Sequence, residues 1–98
     1  MKPETKFKIK VAAIFKKIPY FWFVKIQQVS INATPDFLAC HRGRFYGIEL
    51  KKDQYEDAKP LQLYELKKIG EAEGVGLVMH PDNYKEIIKK EFDFSAWF

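Results

Sequence analysis

The stretch Pro35-Asp36-Phe37-Leu38-Ala39-Cys40-His41-Arg42-Gly43-Arg44-Phe45-Tyr46-Gly47-Ile48-Glu49-Leu50-Lys51 contains two strand-like runs, 36–41 and 44–51, on either side of Arg42-Gly43. A two-residue connection in which glycine supplies a positive φ makes a β-hairpin. Such a turn pairs His41 with Arg44. Each step outward moves one residue back on the first strand and one forward on the second, so Asp36 falls opposite Glu49. Directly opposed residues of an antiparallel pair have Cβ atoms about 4.5–5.5 Å apart on one face, where like charges are destabilising. Two carboxylates so placed point to a hard divalent cation between them, because Mg²⁺ takes one or two carboxylates and keeps waters for its other positions. Without the ion, one of the two should have a raised pKa. Lys51, two residues beyond Glu49, shares that face about 7 Å along, at about 3.3 Å per residue. The reading depends on the even turn, since a slip of one residue would send Glu49 and Lys51 to the other face.

Two carboxylates and an ammonium around a metal suit phosphodiester hydrolysis. The ion activates a water and neutralises charge developing on phosphorus, and the ammonium orients the water or stabilises the transition state. The plainer alternative is that Asp36 caps the turn after Pro35, with Glu49 and Lys51 as solvated strand residues. The hairpin register favours the site.

Outward from the hairpin, residues 3 to 17 place Phe7, Val11, Ile14 and Phe15 at helical spacing, with Lys6, Lys10, Lys16 and Lys17 off that stripe, and Pro19 closes the helix. Residues 20–28 are rich in aromatic and β-branched residues and apolar on both faces in their first half, as a central strand would be, and Lys25 and Gln27 share one face of it. By the same reasoning Tyr20, Phe21, Trp22 and Phe23 are core rather than a platform for stacking bases. Residues 29–34 connect to the hairpin. The charged stretch 52–59 looks like a mobile surface loop ending where Pro60 opens a helix that runs to about Glu73, with Gly74 as its C-terminal stop. Val75 to Met79 is a short apolar strand, and His80-Pro81-Asp82 starts a last helix to about Lys90. The order α-β-β-β-α-β-α is that of an α/β (α+β) domain, a mixed central sheet flanked by helices.

The 98 residues fit one domain, 1–98, and a chain this short buries a limited core that an oligomeric interface would supplement. Hydrophobic residues make up 47% and aromatic residues 16%, which excludes a disordered tail. The net charge of +4 has the sign expected for a phosphate-binding partner but does not by itself decide for nucleic acid. No apolar run approaches the roughly 18–20 residues of a membrane span, and no signal-peptide core follows the lysine-rich N-terminus, so the expected setting is cytoplasmic, with no membrane partner. The single cysteine, Cys40, excludes an internal disulfide and reads as a small core residue. His41 and His80 lack the partners of a zinc site, and Gly74-Val75-Gly76 is too short and misplaced for a nucleotide-binding loop, so no small organic cofactor is expected.

Pro35-Asp36, then Gly43-Arg44-Phe45, then Ile48-Glu49-Leu50-Lys51 resembles the signature of the PD-(D/E)xK nuclease superfamily, with its restriction-endonuclease-like fold. Within it the chain looks like a virus-type replication-repair nuclease (VRR-NUC) domain. The resemblance runs from about Glu4 to Met79 and includes Gln62 on the helix after the motif and Ala72-Glu73-Gly74, where the family has Ala-Gly-Gly. Ala33 also departs from a usual glycine. The resemblance implies that Asp36, Glu49 and the Leu50 carbonyl ligate Mg²⁺ or Mn²⁺, that Lys51 is the catalytic lysine, and that Gln62 lies near the metal or the bound strand rather than being an ordinary exposed helix residue. Glu4 matches the family's first-helix glutamate, and stands equally well as an acidic residue at a helix N-terminus. Small free-standing members occur largely in phages and prophages and resemble Holliday-junction resolvases, dimeric nucleases of branched DNA. The resemblance therefore implies a homodimeric DNA endonuclease of replication, recombination or repair. The alternatives are a nuclease of single-stranded or nicked DNA and a DNA-binding module that kept the fold without the chemistry. Lys25, Gln27, Arg42, Arg44, Lys52 and Lys59 are candidates for phosphate contact. The aromatic C-terminus, Phe92, Phe94, Trp97 and Phe98, serves either a dimer interface or the domain's own sheet.

Overall fold

A computed structural model of the chain describes residues 1–26 and 34–95. Helix α1 spans Pro3–Phe15, strand β1 Phe21–Lys25, β2 Phe37–His41, β3 Arg44–Leu50, helix α2 Pro60–Glu71, β4 Val75–Met79 and helix α3 Tyr84–Phe92. The sheet order is β1-β2-β3-β4, with β1–β2 and β2–β3 antiparallel and β3–β4 parallel. This is the α-β-β-β-α-β-α mixed sheet expected from the sequence.

Proline at the first position presets φ for α1, and Phe7, Val11, Ile14 and Phe15 form its buried stripe. The helix stops two residues before the expected Lys17. There Lys17 N–H donates to the Ile14 carbonyl and Ile18 N–H to that of Phe15, a tightened last turn that buries the Ile18 side chain and delivers the chain to Pro19. Pro60 presets φ for α2 in the same way. Phe15 is the hub of the core. Its ring lies 4.8 Å from Phe21, 5.3 Å from Phe23 and 5.4 Å from Phe37 between centroids, and α3 adds Ile88 and Phe92. Burying each such side chain contributes about 1.5–3 kcal/mol. Phe92 and Phe94 therefore serve the domain's own core, whereas Trp97 and Phe98 lie outside the described residues.

The expectation of a central strand at 20–28 is corrected: β1 is an edge strand, and residues 27 and 28 are outside those described. Phe21 and Phe23 face α1, but Tyr20 and Trp22 are 73% and 58% exposed and so are not core residues. Apolar residues of both parities do not require cover on both faces. Here α1 covers one face of the sheet, while α2 packs on β3 and β4 at the far side of the other. Cys40, paired with Trp22 and Phe45, is half-buried on that second face rather than in the core. At Gly76 a Cβ would lie 2.7 Å from the Leu66 carbonyl oxygen, so glycine is what allows α2 to sit this close.

Two helix ends also differ from expectation. The left-handed residue after α2 is Glu73, with φ 70°, not Gly74. The last helix begins at Tyr84 because residues 80–83 form their own turn, in which His80 N–H donates to Asn83 Oδ1 and Asp82 N–H to His80 Nδ1. Among the described residues, no helix is long and apolar enough to cross a membrane.

Candidate active site

Arg42 and Gly43 adopt φ of 52° and 85°, a turn positive at both central positions, whose twist matches that of the strands it joins. The register runs from His41 opposite Arg44 to Phe37 opposite Ile48 without a bulge. One further step puts Asp36 across from Glu49, as the sequence dictates. The Asp36 backbone is held at the entrance to β2 by Ile26 N–H, which donates to its carbonyl at 2.9 Å. Its side chain is held by Leu50 N–H, which donates to Oδ2 at 2.8 Å.

Glu49 is buried, with 4% of its surface exposed, and its pKa is pushed up to about 7. Loss of solvent is the main cause. The Asp36 carboxylate beside it, by hydrogen bond and by charge, pushes in the same direction, and Lys51 offsets part of the shift. Lys51 Nζ lies 3.5 Å from Glu49 Oε2 and donates to Gln62 Oε1 at 2.9 Å. A buried ammonium needs such partners. Gln62 Oε1 also accepts from Lys59 N–H at 2.8 Å, which ties the site to the first turn of α2. Asp36, Glu49, Lys51 and Gln62 thus converge where β2 begins and β3 ends.

The other candidates lie around this centre at different distances. Lys25 ends β1 opposite Phe37, next to Asp36 in the sheet, and is exposed. Lys52 and Lys59 flank the segment after β3 and are exposed. That segment is knit by its own acids: Asp53 Oδ1 accepts from Tyr55 and Glu56 N–H, and Glu56 Oε1 from Lys52 N–H. Arg42 and Arg44 sit at the hairpin tip, about 17 Å from Asp36 along five strand residues. There the Arg42 guanidinium covers the Tyr20 ring at 4.6 Å. Glu4 is exposed on α1, one helical turn before Lys8, and makes no ion pair among the described residues. Gln27 is outside the described residues.

One member of the site is absent from the sequence reading. Lys8 Nζ lies 3.0 Å from Asp36 Oδ1, so α1 contributes a cation to the free oxygen of that carboxylate. The only signal in the sequence is that Lys8 follows Glu4 by one turn on the same helix face. Among the described residues no cluster of three or more His, Cys, Asp and Glu side chains is present, so the acidic set is the pair Asp36 and Glu49.

Comparison with protein-family models gives no match, and comparison with curated proteins gives none. Among solved structures, one described as "VRR_NUC domain" superposes with a TM-score of 0.78, over 94% of this chain and 99% of that one, at 18% sequence identity. The chain has the fold of that domain, as the PD-(D/E)xK-like pattern implies.

Proposed function

We propose that this protein is a divalent-metal-dependent DNA endonuclease of the PD-(D/E)xK type. The observation that carries this reading is the buried Glu49 directly across from Asp36, with the Lys51 ammonium beside it and Gln62 behind. Burying Glu49 beside the half-buried Asp36 carboxylate costs stability that no packing need explains, and it makes sense as a ligand pair.

The residues fit a hard cation. Asp36 and Glu49 offer carboxylate oxygens, and Leu50, whose N–H already addresses Asp36, presents its carbonyl to the same neighbouring strand, as strand alternation requires. Two carboxylates, a carbonyl and waters make up an oxygen set suited to Mg²⁺ or Mn²⁺. When bound, the ion supplies Lewis acidity and a water of lowered pKa. The chain itself does the rest. Gln62 holds the Lys51 ammonium in place, so that it neutralises charge on the phosphate as the transition state forms. Glu49, with a pKa near 7, would give up its proton on holding the ion. Glu4 is exposed in the first turn of α1, one helical turn before Lys8.

The substrate in this reading is branched DNA, a Holliday junction or related intermediate of phage replication, recombination or repair. A two-fold homodimer would present two such sites to two strands. Lys25, Lys52 and Lys59 stand close enough to contact backbone phosphates. Arg42 and Arg44 would contribute only on a substrate long enough to reach the hairpin tip. A second reading, a DNA-binding module without chemistry, is favoured by one observation. Lys8 and Lys51 each pair with one of the two carboxylates, Asp36 and Glu49 respectively.

The deciding experiment is cleavage of labelled four-way junction, flap, single-stranded and linear duplex DNA with Mg²⁺, Mn²⁺ or chelator, comparing wild type with Asp36→Asn and Lys51→Ala. Paired metal-dependent cuts in the junction that both substitutions abolish are expected. Cuts confined to single-stranded or nicked DNA would replace the branched substrate with a simpler one. Binding without cleavage of any substrate would leave the non-catalytic module.

A further inference from the structure

On the face of the sheet that α1 covers, the helix and the end of β1 enclose an open groove of about 500 Å³. Lys8, Lys16, Lys17 and Lys25 line it, Ala12 and Ala13 form its floor together with the half-exposed Ile9, and no acidic side chain is among the described residues that line it. The small floor residues leave room that longer side chains would fill. The groove ends at Lys8, whose ammonium reaches round the start of β2 to Asp36.

We infer that this groove is the track for the sugar–phosphate backbone of the DNA strand that enters the active site. This rests on the nuclease reading and adds to it the path of the strand, along α1 toward its C-terminal end. Charge sign and length both fit. From Lys8 to Lys16 is eight helical residues, about 12 Å at about 1.5 Å each. At about 3.4 Å of axial rise per nucleotide, that spans three to four steps of one strand. The contacts are ammonium to phosphate with an apolar floor beneath the sugars, so they carry no base sequence, as suits recognition of DNA shape. Lys8 belongs to both the groove and the site, so a phosphate drawn to Lys8 arrives beside Asp36.

The test is equilibrium binding of labelled duplex and single-stranded DNA to the full chain in chelator over a salt series. The comparison is between wild type, Lys16→Ala/Lys25→Ala, and the control Lys89→Ala/Lys90→Ala on exposed positions of α3. Each lost phosphate contact lowers the slope of log affinity against log salt by about 0.9 for duplex and about 0.7 for a single strand. The groove variant should therefore lose roughly 1.8 and 1.4 units with its thermal transition unchanged, and the control should lose far less. An unchanged slope in the groove variant, or equal losses in both variants, would overturn the groove and leave the nuclease reading intact. Absence of DNA binding by the wild type would overturn both. A groove-variant defect seen with phosphatidylserine-containing vesicles but not with DNA would assign the lysines to a lipid surface instead.

Discussion

In the proposed nuclease, Glu49 is the residue at which folding and activity would pull in opposite directions. Its pKa stands at about 7 in the folded chain, against 4.5 for an ordinary glutamate. The folded state therefore favours the proton. The stability this confers is complete below about pH 4.5 and is lost as pH rises through about 7. Two to three units at about 1.4 kcal/mol each make the loss about 3 kcal/mol. In chelator, urea denaturation of wild type should show stability falling over that window, whereas Glu49→Gln, which cannot ionise, should be flat there and more stable above it. Parallel pH profiles for the two proteins would mean that Glu49 ionises without cost. At Lys8 the expected effect is on the metal. The Lys8–Asp36 pair is partly exposed and worth up to about 1 kcal/mol. An ion using Asp36 must displace the ammonium, so Lys8→Met should tighten Mn²⁺ binding by up to about fivefold in a calorimetric titration. Weaker binding would instead make Lys8 a partner of the metal-bound state.

Among the elements, the end of α2 carries an avoidable cost. Glu73 holds φ of 70°, a conformation that costs a residue with a Cβ about 1–2 kcal/mol, part of which is returned because glycine has more freedom to lose on folding. Glu73→Gly should therefore stabilise the domain by about 0.5–1 kcal/mol, which for a chain of this size raises the thermal midpoint by several degrees. A lowered midpoint would show that the Glu73 side chain contributes more than its backbone costs. The same position is where residue type and backbone conformation part. Gly74 was the natural stop by residue type, yet the chain puts its left-handed residue one earlier. The hairpin, by contrast, was legible because the Arg42-Gly43 turn fixes register, and register alone carries Asp36 to Glu49. The edge position of β1 was not legible, since apolar alternation reports the faces of a strand and not its neighbours. Nor was the place of Lys8, which depends on where α1 lies across the start of β2, a tertiary relation that helical periodicity does not encode.

For the molecule as a whole, a carboxylate pair that holds a divalent ion, as proposed, would make stability depend on ion concentration. A domain of this size has about 5–15 kcal/mol in hand. A ligand bound only by the folded state adds about 2.7 kcal/mol at a hundred times its dissociation constant. At about 4–8 °C per kcal/mol, saturating Mg²⁺ or Mn²⁺ should raise the thermal midpoint by roughly 10–20 °C over chelator, and more at pH 8 than at pH 6, because Glu49 must first lose its proton. Asp36→Asn should abolish the rise while leaving the chain folded, since the amide can still accept from Leu50 N–H. The two readings of the site diverge here without any nucleic acid. A metal-holding nuclease must show the rise and lose it with Asp36. A chain whose acids are already balanced by Lys8 and Lys51 would melt alike in metal and chelator, and its carboxylates would then be structural members of a DNA-binding fold.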